Sequence, residues 1–374
     1  MPGATLFQTG SLRPHIATCV TFRKSRYSGG SQAGHRRPRG VSNAMTAPIE
    51  TTRADAQPET VLEGAGRKEI EGRSLGRIAW TRFKRDKAAM AGGIVVVLLI
   101  LVAMLSKPLQ SLLGLDPNAF NQSLVDPVML APKGSLGGIS WDHPLGVEPQ
   151  TGRDILARIL EGSWVSLVVA VGSTLLSVVI GVVMGVVAGF YGGWVDSFIS
   201  RLMDTFLAFP LLLFAISISA SLQGNAFGLE GLTLRIAVLI FVIGFFSWPY
   251  IGRIVRAQTL SLREREFVEA ARSLGARGPF ILFRELLPNL IAPILVYATL
   301  LIPTNILFEA SLSFLGVGIA PPQASWGGML TQAVDLYEVD PMFMVIPGMA
   351  IFITVLAFNL LGDGLRDALD PRGK

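Results

Sequence analysis

Six apolar runs, at 88–105, 165–190, 206–222, 236–251, 291–308 and 343–361, divide the chain, and none contains Asp, Glu, Lys, Arg or His. Each is close to the 17 to 25 residues, roughly, that cross about 30 Å of hydrocarbon at about 1.5 Å per residue, with 236–251 the shortest. The pattern predicts an all-α membrane protein with six transmembrane helices. Ahead of the first run, Ile70, Leu75, Ile78, Ala79, Trp80 and Phe83 interleave with Arg73, Arg77, Arg82, Lys84, Arg85 and Lys87. That alternation predicts an amphipathic helix lying on an anionic membrane face. Basic residues cluster before the first run, over 253–284 and after Arg366, while 223–234 and 309–342 hold no Lys or Arg. The positive-inside rule then places both termini and the 253–289 segment in the cytoplasm.

Composition agrees with a membrane class: of 374 residues, 51% are hydrophobic and only 16% charged. The net charge of +5 follows the membrane flanks rather than a nucleic-acid surface. A lone Cys19 forms no intrachain disulfide, and three histidines, His15, His35 and His143, leave little for a metal site. Residues 1–49 carry no Asp or Glu and seven Arg or Lys among Ser and Gly, a composition that predicts disorder. The segment reads as a dispensable tail, an over-long gene start with Met45 as the real one, or as an organellar transit peptide. It has no apolar core with a small-residue cleavage site, so it is not a secretory signal.

The long polar segment 253–289 is the candidate functional element. Phe267, Ala270, Ala271 and Leu274 recur at helical spacing and predict a narrow docking face. Gly275 stands where a left-handed terminator belongs, Pro279 where a second short helix would start, and Pro288 predicts an end near Leu287. The Glu269-Ala270-Ala271 triplet, Gly275 and Leu287-Pro288 resemble the EAA loop of ABC importer permeases, with Glu285 where that spacing expects an aliphatic residue. The resemblance implies an element that inserts into a groove on a separate ATP-hydrolysing subunit.

Further segments resemble the dipeptide, oligopeptide and nickel branch of those permeases. They are His143-Pro144-Leu145-Gly146 with Gly152-Arg153-Asp154, then Glu309-Ala310-Ser311-Leu312-Ser313-Phe314-Leu315-Gly316, and Ser325-Trp326-Gly327-Gly328. The ending Asn359 to Asp367 with Asp370-Pro371 resembles that of the second, C-type permease subunit. The chain departs at Val147 and Glu148, which replace Thr and Asp, and by one residue inserted before Gly152. Together the motifs cover about 70–372 and imply the type I ABC importer fold, in the cytoplasmic membrane of a bacterium. The implied divisions are a tail and linker (1–66), an interfacial helix, first span and start of an outer loop (67–142), and an outer segment (143–163). A permease core (164–361) with its coupling loop (253–289) and a cytoplasmic tail (362–374) follow.

Several residues carry two readings. Asp154 predicts the cap of a short outer lid helix through Ile155, Ile159 and Leu160. Glu309, with Arg153 and Asp154, is a candidate for the outer gate or substrate path, and alternatively a solvated helix end. Ser173, Ser177, Gly181, Gly185 and Gly189 make a small-residue stripe that packs a neighbouring helix or forms a seam with another subunit. Ser217, Ser221, Thr299 and Asn305 line a path or bond across helices.

No GxxxxGK[ST] occurs, so this chain is expected to bind no nucleotide itself, ATP and Mg belonging to partner subunits. Charge-free spans argue against a secondary transporter, and the absence of GxSxG and HExxH argues against an intramembrane protease. The helix-turn-helix look of 262–287 is not DNA-binding, being tethered at both ends to the membrane. The resemblance implies a non-catalytic permease subunit importing short peptides, with nickel or another small solute as the alternative. Its implied partners are a second homologous permease, two ATPase subunits and an extracytoplasmic binding protein, beside membrane lipid. The competing class is a membrane interaction protein without transport.

Overall fold

A computed structural model describes residues 75–134, 136–221 and 228–369. The basic tail over 1–66 and the Asp370-Pro371 ending fall outside the described residues. The elements are α1 (Leu75–Phe83), α2 (Lys87–Met104), α3 (Ser106–Leu113), α4 (Ile155–Tyr191), α5 (Gly193–Ala208) and α6 (Leu211–Ser221). They continue with α7 (Gly231–Arg263), α8 (Glu266–Ser273), α9 (Gly278–Phe280), a π turn (Ile281–Leu286), α10 (Leu287–Phe314), α11 (Trp326–Val334) and α12 (Met342–Leu369). Among the described residues, five helical stretches are long and apolar enough to cross a membrane, and the bent pair α5 and α6 makes a sixth if taken as one span.

The first crossing starts cleanly. Asp86 caps α2 by accepting from the backbone N–H of Ala88 at 2.9 Å and of Ala89 at 3.2 Å. The other helices outrun their apolar runs. Helix α4 begins at Ile155, so 143–163 holds no separate lid helix: Asp154 caps the long helix itself, accepting from Ala157 N–H at 2.7 Å. Helix α7 extends past both ends of its run, and α12 continues to Leu369 instead of yielding a tail at 362. An apolar window stops at the first charge, whereas a helix continues as long as its backbone bonds and one packed face persist.

One break arises from proline. Pro210 has no N–H to donate, and the helix stops at Phe209 and turns by 75° into α6. Pro288, in contrast, ends nothing. The helical path runs from Gly278 to Phe314, widened to a π turn just before it, and the Asn289 side chain donates to Glu285 C=O at 2.6 Å.

The small-residue stripe of α4 lies against α7, the heart of the bundle. A Cβ on Gly181 would stand 2.8 Å from Trp248 C=O; one on Gly185 would stand 2.6 Å from Gly252 C=O, and one on Gly189 2.7 Å from Thr259 Cβ. Ser177 donates to Gly244 C=O at 2.8 Å, and Ser173 donates to Ala170 C=O at 3.1 Å within α4. Since lipid tails are as apolar as Leu, close backbone approach and hydrogen bonds, rather than escape from water, hold these helices together. Beyond the stripe, Asn305 of α10 donates to Thr174 Oγ1 at 2.8 Å, while Ser217, Ser221 and Thr299 each bond a carbonyl of their own helix.

Candidate functional site

The knob projects at one end of the bundle. Helix α8 has Glu266 and Glu269 in its first turn and Arg272 in its last, the order that the helix dipole favours. Its inward residue is Val268, fully buried with Ile281 and Leu286, and Ala271 and Ala276 pack at the edge of that cluster. The turn is a Schellman motif: Gly275 N–H donates to Arg272 C=O at 2.9 Å and Ala276 N–H to Ala271 C=O at 3.0 Å. Gly275 sits at φ +82° with open space around it, so only its conformation requires glycine.

What the knob leaves bare is informative. Leu274 is 89% exposed, Phe283 67% and Phe267 37%, and Glu269, Ala270 and Pro288 are exposed beside them, with Leu287 half-buried. This exposed apolar surface is rimmed by charge and packed from behind.

The opposite end holds Arg153, Asp154 and Glu309, all buried. Arg153 is ion-paired to Glu148, which also accepts from Thr151 Oγ1 at 2.6 Å and lies 3.9 Å from Arg158 Nε. His143 Nδ1 is 2.6 Å from Asp154 Oδ2, so Asp154 caps α4 with one oxygen and holds the 143–154 loop with the other. Arg158 reaches the carbonyl of Pro322 at 3.3 Å and so ties α4 to the loop before α11. Among loop carboxyls, burial pushes Asp340 above the usual range, against the backbone N–H groups of Met342 and Phe343. The backbone N–H groups of Met129 and Val128 hold the exposed Asp126 below it.

Glu309 is no solvated helix end. It is fully buried, and its two carboxyl oxygens accept from Ser166 Oγ of α4 and Ser313 Oγ, each at 2.8 Å. In this conformation no surface path reaches it. Its partners are protein hydroxyls.

Comparison with known proteins gives the family. The model of the "Binding-protein-dependent transport system inner membrane component" matches residues 181–374, which include the knob, α10 and α12. The chain belongs to this family. A second model, the N-terminal TM domain of oligopeptide transport permease C, matches residues 74–126. The chain is 39% identical to the oligopeptide transport system permease protein OppC of Escherichia coli (strain K12), over 84% of this chain and 97% of that protein. It is 42% identical to the glutathione transport system permease protein GsiD of Shigella flexneri serotype 5b (strain 8401), over 79% and 90% of the two chains. An inward-facing structure of the MetNI methionine ABC transporter overlaps 58% of this chain and 98% of its own, at 22% identity and a TM-score of 0.47.

This inner membrane component is therefore a multi-pass permease of an ABC importer, of the C type. Several residues that shape it escaped the motifs. Glu148 and Arg158 stand in a segment whose outline drew attention to Arg153 and Asp154 instead. The signal was present as opposite charges five and ten residues apart along 148–158. Asp204 and Arg253 lie two residues outside the apolar runs at 206–222 and 236–251, and only the longer helices bring them into view.

Proposed function

We propose that this permease carries short peptides into the cell, with the knob at the cytoplasmic face receiving mechanical work from ATPase subunits. A second homologous permease would complete the pathway, two ATPase subunits would bind ATP and Mg, and an extracytoplasmic binding protein would deliver the solute. The observation that carries the coupling is the bare apolar face of α8, braced from behind by Val268, Ile281 and Leu286. The relatives support the cargo: one is named for oligopeptides and the other for glutathione, itself a short peptide. Closure of the ATPases would move α8, and through the π turn α10, between two states that each ligand biases by its own contacts.

Gly275→Val tests the coupling, because a β-branched residue at φ +82° costs at least about 1–2 kcal/mol and unseats the turn. The variant is expected to insert in the membrane at parental levels while uptake of a radiolabelled tripeptide falls at least tenfold. Parental uptake, together with parental stimulation of ATPase activity by the binding protein, would remove the assignment.

A further inference from the structure

The joint between α5 and α7 carries two ion pairs with different environments. Asp196 and Arg256 form a two-pronged pair, both carboxylate oxygens accepting from the guanidinium, with side chains 19% and 32% exposed. That pair is geometrically complete and suffices to hold α5 on α7. Asp204 and Arg253 form a second pair through a single donor, Arg253 Nη2 to Asp204 Oδ1, with side chains 61% and 52% exposed. Among the described residues this single contact is the pair's hydrogen bond.

The location makes this open pair costly against lipid. Asp204 stands about 16 Å along α5 from the knob-side end, and Arg253 lies about 27 Å of helix from Arg235 near the far end of α7. Both charges therefore sit on membrane-crossing helices, at or inside the knob-side rim of roughly 30 Å of hydrocarbon. Ionised groups placed so face water or a binding partner, because hydrocarbon would strip their hydration. Directly beyond Asp204 the helix breaks by 75° at Pro210. Phe209 at the break and Tyr250, one turn before Arg253, are both about half exposed.

We infer that Asp204 and Arg253 form a solute-binding station on the wall of the translocation path, for a zwitterionic peptide. The guanidinium fits a peptide carboxylate bidentately, the carboxylate fits the peptide ammonium, and the two aromatic rings offer apolar surface to side chains between them. Each protein charge already has its complement, so an unloaded station is neutral overall, and a zwitterion exchanges one pair for two without leaving a charge alone. This inference rests on the peptide reading above and adds the residues that contact the solute.

The test uses the complete importer in membrane vesicles with trialanine, its N-acetyl form and its C-terminal amide. Arg253→Gln is expected to lower trialanine transport about tenfold and the amide, which has no carboxylate, less than twofold. Asp204→Asn is expected to do the mirror image, sparing the N-acetyl peptide. Equal losses for all three peptides, or no loss, overturn the inference. A second measurement does not depend on the capped peptides being carried. Asp204→Cys in a Cys19→Ser background is expected to react with a water-soluble methanethiosulfonate in the assembled importer. An unreactive thiol places the pair in a protein seam or lipid and overturns the inference. Failure of the parent importer to carry any of the three peptides refutes the peptide reading itself.

Discussion

At the scale of single residues, glycine and glutamate were unequally legible. Gly275 announces itself, because a helix that stops one residue before a glycine, with apolar residues on one face, has few other ways to end. Glu309 gave no such notice. Its meaning depends on Ser166, which lies 143 residues earlier and comes within 2.8 Å only once α4 and α10 have packed. A buried carboxyl with both oxygens bonded predicts an asymmetric response to substitution. Glu309→Leu strands the Ser166 and Ser313 hydroxyls and is expected to destabilise by about 1–3 kcal/mol. Glu309→Gln keeps an acceptor and a donor and is expected to cost less than half as much. Thermal unfolding of the purified protein in detergent reads both, and equal melting temperatures for the two variants would contradict the hydroxyl clasp.

At the scale of elements, the apolar runs located every crossing but misjudged where helices stop. The reason is physical: hydropathy measures what lipid tolerates, whereas Glu148 is paired with Arg153 and Thr151, and Arg158 bonds the loop carbonyls of Pro117 and Pro322, so neither needs lipid to accept it. Proline was likewise ambiguous from sequence. Pro210 breaks its helix and Pro288 does not, because Pro288 stands in the first turn of α10, where the backbone arrives through a π turn. The pairing of α4 with α7 was readable as a small-residue stripe, but its partner helix was not, since a stripe reports only that something comes close. Gly185→Leu forces a side chain into the Gly252 carbonyl and Val255, at an expected cost of at least about 1–3 kcal/mol. Gly348→Leu on α12, where nothing stands within 4 Å, is expected to be tolerated. Gel filtration after mild heating separates the two, and loss of both or neither would deny the close approach its role.

At the scale of the molecule, a charge-poor bundle carries one exposed apolar knob at one end and a set of buried ion pairs at the other. The knob is braced by Val268, Ile281 and Leu286, and the π turn continues into α10, whose Glu309 holds α4. In the proposed coupling, those contacts would carry a docking event at one face into helix motion at the other. The most direct test places a photo-activatable benzoylphenylalanine at Leu274 in the importer expressed with all its subunits. The account predicts an adduct with an ATPase subunit, weakened when ATP and Mg are trapped or the knob carries Gly275→Val. Adducts solely with lipid, with the binding protein or with nothing would contradict it.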